Sequence, residues 1–204
     1  MSDTYKILSN RPEGEYKEKG SKFIGYGAHV ANEEEVKLFL ESVRKLHPKS
    51  RHCCYAYILG DHQETQVAND DGEPSGTAGK PILNQILSAE LTYCCVGVIR
   101  YFGGTKLGAS GLVRAYKAGA EDALNNGAFI EKQLLQVVQL SYNYDLIGPV
   151  NSLINKLKCK VVKQQFEMSC VSEIAILPEQ QSKLEEEAIL IKGLKVELLD
   201  ISAL

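Results

Sequence analysis

Two glycine-rich segments, residues 70–80 (DDGEPSGTAGK) and 103–111 (GGTKLGASG), each run from a strand region into the start of a helix. That repeated strand–loop–helix order makes an α+β fold the reading for this chain. After the first segment, Pro81 falls in the first turn of a helix, where a missing N–H costs little. Ile82, Leu83, Ile86 and Leu87 supply its apolar stripe. The most apolar strand, residues 91–101, leads into the second segment. The helix that follows carries Leu112, Val113, Tyr116, Ala120, Ala123 and Leu124, and Asn125-Asn126-Gly127 closes it.

Upstream, residues 16–30 read as strands. Asn32 is an N-cap before Glu33, Glu34 and Glu35, whose charges suit a helix dipole. Val36, Phe39, Leu40, Val43 and Leu46 recur at helical spacing until Pro48. Residues 53–59 read as a buried strand and 65–68 as its partner. Downstream the order is strand 137–144, helix 145–157, strands 159–170 and 171–177, a helix from Pro178 to Ile191, and strand 195–201. This is the βαββαβ order of a ferredoxin-like domain. Two domains are therefore expected within the 204 residues, 1–130 and 131–204.

No apolar run approaches the roughly 20 residues of a membrane span, and the first eleven residues are too polar for a signal peptide. A cytoplasmic protein without membrane partners is expected. The six cysteines include two adjacent pairs, Cys53-Cys54 and Cys94-Cys95, inside apolar runs. Neighbours on a strand point to opposite faces, so a pair does not readily grip one metal ion. They read as reduced core residues, and no metal or cofactor is expected.

The net charge of −3 gives no global attraction to nucleic acid, but the charge is unevenly spread. Between Gly76 and Ala120 stand five basic residues (Lys80, Arg100, Lys106, Arg114, Lys117) and one acidic residue, Glu90. All five arginines lie before residue 120, and arginine is the better planar ligand for phosphate. An anion or RNA site is thus placed in the first domain. Gly76, Gly79, Gly103 and Gly104, with Ser75 and Thr77, offer backbone and hydroxyl groups near helix starts. Lys22, Arg51, Lys80, Arg100, Lys106, Arg114 and Lys117 offer charge. If the two loops meet, Lys80, Arg100, Arg114 and Lys117 are expected to form one patch. Asp70, Asp71 and Glu73 could bind magnesium or supply a general base, Asp71 and Glu73 being the candidates for a metal or acid/base role, although a turn and a helix dipole account for them more simply. Tyr55, Tyr57, Tyr93, Tyr101 and Phe102 are read as core in preference to base-stacking groups. No P-loop is present, since Gly79-Lys80 is followed by Pro81. A His52–Cys53 nucleophile pair is set aside because adjacent strand residues diverge.

Residues 71–83 (DGEPSGTAGKPIL) and 98–116 (VIRYFGGTKLGASGLVRAY), with Lys22-Phe23 and His52-Cys53, resemble the signature of the IMPACT/YigZ family. Ser110 departs from it where glycine is expected. The resemblance implies a first domain like the second domain of a small-subunit ribosomal protein, and a ferredoxin-like tail similar to a domain of elongation factor G. It also implies a role near translation, since the eukaryotic relatives bind a ribosome-associated activator of a kinase. Three readings follow. The favoured one is a non-enzymatic protein that binds RNA or the ribosome. The others are an enzyme or binder of a phosphorylated small molecule using the loop from Gly76 to Lys80, and a module for a regulatory protein partner.

Overall fold

The computed structural model describes residues 4–167 and 169–203, and the chain divides into two compact units, Tyr5–Lys132 and Gln133–Leu204 with the first four residues. In the first unit β1 (Thr4–Leu8) sends Leu8 into the core. β2 (Glu13–Glu18) and β3 (Ser21–His29) form a hairpin whose turn, Lys19-Gly20, has φ of 46° and 79°. Such a pair of left-handed residues matches the twist of two antiparallel strands. The helix α1 (Glu33–Leu46) is capped by Asn32, whose side chain accepts the Glu35 N–H at 3.0 Å, as the sequence predicts.

Next come β4 (His52–Leu59), β5 (Thr65–Asn69), α2 (Gly79–Ser88), β6 (Cys94–Tyr101) and α3 (Gly108–Asn125). The antiparallel sheet runs β2-β3-β6-β4-β5, with β6 in the middle. β6 starts three residues later than the apolar run predicts. Glu90 and Tyr93, at φ 57° and 49°, break the extended backbone before it.

Each face of this sheet has its own core. Cys54, Val96 and Val98 pack with Ile82 and Ile86 of α2 and with Leu112, Tyr116 and Leu124 of α3. Cys53, Cys95 and Ile99 pack with Val36, Phe39 and Val43 of α1 on the other face. The adjacent cysteines thus diverge to opposite faces, and all six are free thiols. Burial pushes the Cys53 thiol up to about 11, which keeps it protonated near neutral pH.

The second unit takes up β7 (Phe129–Tyr142), a strand that begins in the first unit, and adds α4 (Ile147–Lys156), β8 (Lys160–Phe166), β9 (Cys170–Ile176), α5 (Gln181–Ile189) and β10 (Lys195–Ala203). Its strands pair β10 with β7, β7 with β9 and β9 with β8, all antiparallel, which is the ferredoxin-like arrangement, and β1 joins the same sheet as a fifth strand beside β7. Val138, Leu140, Val150, Ile154, Ile174 and Leu184 form its core. β7 begins well before the apolar alternation that predicts it, because its first residues are largely exposed. Among the described residues, no helix is long and apolar enough to cross a membrane.

Candidate functional site

The first glycine-rich segment is tied down from within. The Asp70 carboxylate accepts the N–H groups of Gly76 (2.7 Å), Ala78 (2.9 Å) and Gly79 (2.8 Å). It thereby caps α2, whose own N-cap residue Ala78 has no side-chain acceptor. Partial burial alone would raise the Asp70 carboxyl, but the three donors outweigh it and the net shift is downward. This corrects the expectation that the loop from Gly76 to Lys80 presents open N–H groups to a phosphate. Thr77 is buried with its hydroxyl turned back to the Pro74 carbonyl, 2.6 Å away, while Ser75 stays exposed. Gly79 is needed for close approach, since a Cβ there would come 2.5 Å from the Asn69 nitrogen.

The acidic residues are structural too. Asp71 accepts the Cys53 N–H at 2.6 Å and pairs with Arg44 at 2.9 Å. Glu73 lies at the foot of α3. Its Oε1 accepts Arg100 Nη1 at 2.6 Å and the Tyr116 hydroxyl at 2.8 Å. Both members of this ion pair are largely buried, with side chains 11% exposed for Arg100 and 5% for Glu73. The guanidinium carbon also lies 5.7 Å from the Phe23 ring and 5.6 Å from the Phe102 ring. Burial pushes the Tyr116 phenol far up, so it stays a neutral donor. Among the described residues no cluster of three His, Cys, Asp or Glu side chains could hold a metal ion.

Above this pair opens a cleft of about 740 Å³. Its floor is apolar, from Pro74, Leu107, Ala109 and Leu112, and Phe102 stands at its mouth with 60% of its surface exposed. Lys49, Arg51 and Lys106 lie on its rim, all exposed, and none takes part in an ion pair among the described residues. Glu73 is the one acidic residue in the lining, and Arg100 neutralises it. The cleft therefore has an uncompensated positive rim over an apolar bed, a lining suited to an anion that carries a flat apolar group.

The predicted cations do not form one patch. Arg51, Arg100 and Lys106 line the cleft, whereas Lys80 and Lys117 line a shallower groove between α2 and α3, beside Gly76. Arg114 turns instead to Glu18 of β2, at 2.5 Å, and Lys22 pairs with Glu15 on the same strand. Gly103 is packed against the β2–β3 turn, where a Cβ would come 1.9 Å from the Gly20 carbonyl carbon. Gly104, at φ 87°, faces open space. Sequence reasoning missed Lys49 and placed Phe102 in the core. Lys49 is set apart only by following Pro48 in a turn, and Phe102 by directly preceding two glycines at the end of an apolar strand.

The chain matches the family model described as the Impact N-terminal domain over residues 19–124. It is 38% identical over 152 residues to the IMPACT family member YvyE of Bacillus subtilis, covering 74% of this chain and 70% of the relative. It is 35% identical over 160 residues to the IMPACT family member YigZ of Escherichia coli, covering 78% of each. A crystal structure of a hypothetical protein is similar over 98% of this chain and 99% of its own, with a TM-score of 0.72 and 29% identity.

Proposed function

Because the chain belongs to the IMPACT family, we propose that it is a non-enzymatic binding protein of the translation apparatus, and that the cleft of its first unit holds RNA. The observation that carries this reading is the rim of Lys49, Arg51 and Lys106, three cations without acidic partners among the described residues, beside an exposed aromatic ring. Phosphate contacts supply most of the sequence-independent affinity for nucleic acid, and cations already committed to carboxylates supply little of it. Arg100 and Arg114 are committed in that way, so neither belongs to the phosphate-binding set. Asp70 favours this reading over a small phosphorylated substrate, since it occupies the backbone donors that such a substrate would need.

The triple variant Lys49→Ala/Arg51→Ala/Lys106→Ala tests the reading. Binding of a fluorescein-labelled single-stranded RNA is followed by anisotropy across salt concentrations. Each lost phosphate contact lowers the salt slope by about 0.7 on single strands, so the triple variant is expected to lose about 2 from the slope. Lys80→Ala/Lys117→Ala is the comparison and is expected to leave the slope nearly unchanged. If the comparison variant flattens the slope and the triple variant does not, the groove between α2 and α3 is the RNA site and the cleft is not.

A further inference from the structure

We infer that the cleft takes one unpaired base, stacked on the ring of Phe102, so that the protein selects single-stranded RNA over duplex. The inference rests on the RNA reading above and deepens it. Phe102 is a large apolar side chain with 60% of its surface in solvent, although it directly follows the most buried strand of the first unit. It is also not left loose. The Arg100 guanidinium lies against its ring at 5.6 Å, and Arg100 is itself fixed by the buried ion pair to Glu73. A ring held by a cation and open to solvent elsewhere is a preorganised stacking platform.

The surroundings fit a nucleotide. Leu107 and Leu112 provide an apolar ledge for the edge of a base, and Lys49, Arg51 and Lys106 line the same cleft, where they can take the flanking phosphates. The volume of about 740 Å³ lies within the range that accommodates a small ligand. A base in a duplex is already stacked and paired, and the deep, narrow major groove of an RNA helix does not admit side chains. Duplex RNA therefore reaches only the cationic rim, whereas a single strand gains the rim and the ring together.

The test uses the full chain with Phe102→Ala and Phe102→Tyr, and two labelled probes, a single-stranded 10-nucleotide oligouridine and a 16-base-pair RNA duplex. Stacking of one base on an aromatic side chain corresponds to roughly a tenfold or larger loss on alanine substitution. Phe102→Ala is expected to weaken the single-stranded probe by about that factor, with the salt slope and the duplex affinity nearly unchanged. Phe102→Tyr keeps the ring and is expected to bind like the parent. Because the residue is exposed, thermal melting should be alike in all three proteins. Parental affinity in Phe102→Ala, or an equal loss on both probes, overturns the inference. With that result, a flattened slope in the rim variant leaves the RNA reading standing. If the parent itself binds neither probe at low salt, both readings fall.

Discussion

Replacing Arg100 by alanine is expected to cost the first unit about 3–5 kcal/mol, because it strips a buried carboxylate of its counter-charge. Glu73 is 5% exposed, and without Arg100 the remaining side-chain partner among the described residues is the Tyr116 hydroxyl. The substitution also removes the cation lying against Phe23 and Phe102. An exposed ion pair would behave differently: Arg114, at 62% side-chain exposure, pairs with Glu18 on the surface, and Arg114→Ala is expected to change stability little. A second variant separates loss of charge balance from loss of packing. Arg100→Met with Glu73→Leu removes both charges and keeps apolar volume, so it should be markedly more stable than Arg100→Ala alone. The chain has no tryptophan, so urea unfolding is best followed by far-ultraviolet circular dichroism. If the double variant is as unstable as Arg100→Ala, the ion pair is not what holds the foot of α3.

Gly25→Ala is expected to be equally severe, at about 3 kcal/mol or more, the upper end of overpacking costs. Gly25 lies on β3 beneath α3, and a Cβ there would come 2.2 Å from the Gly119 carbonyl oxygen and 2.9 Å from the Ala123 methyl. Gly14 on β2 is in the same position, with a Cβ 2.2 Å from the Ala123 nitrogen. The shortest of these contacts are to backbone, which cannot swing aside as a long side chain can. The helix would have to lift from the sheet, carrying Leu112 and Tyr116 away from the cleft floor and from Glu73. Gly148 in α4 is the control, because a Cβ there meets nothing within 4 Å. Gly148→Ala is expected to leave stability unchanged or to raise it by up to about 1 kcal/mol, through helix propensity alone. The same unfolding assay reads both. A Gly25→Ala protein as stable as the parent would mean that α3 rides higher on the sheet than described.

The elements of this fold were legible because their signals are local. Asn32 followed by three glutamates, the stripes at Ile82–Leu87 and Leu112–Leu124, and the strand order of the second unit each follow from the spacing of neighbouring residues. The adjacent cysteines were legible for the same reason, since alternation along a strand sends Cys53 and Cys54 to opposite cores. The site was legible only in outline. A basic segment with two glycine loops was visible, but which cations remain free depends on partners far away in sequence. Glu18 claims Arg114 across 96 residues, and Glu73 claims Arg100 across 27. No local pattern reports such pairings, because they depend on the register in which β2, β3, β6 and α3 meet. Asp70 is a further case. Its carboxylate fills the anion position that the glycine loop suggests for a ligand, and only the curl of the chain over residues 70–79 reveals it. Phe102 was misplaced because strand alternation was carried one residue past the end of β6, where the chain leaves the sheet.

The proposal that the cleft holds RNA is tested most directly by photocrosslinking. A single-stranded RNA containing 4-thiouridine is irradiated with the 204-residue chain, and the adducts are located by mass spectrometry of the digest. If the cleft holds the strand, adducts concentrate on the peptides carrying Tyr101 and Phe102 and on those carrying Lys49 and Arg51, and they disappear in the Lys49→Ala/Arg51→Ala/Lys106→Ala protein. Adducts confined to the groove at Lys80 and Lys117, or to the second unit, and unchanged in the triple variant, would contradict the account.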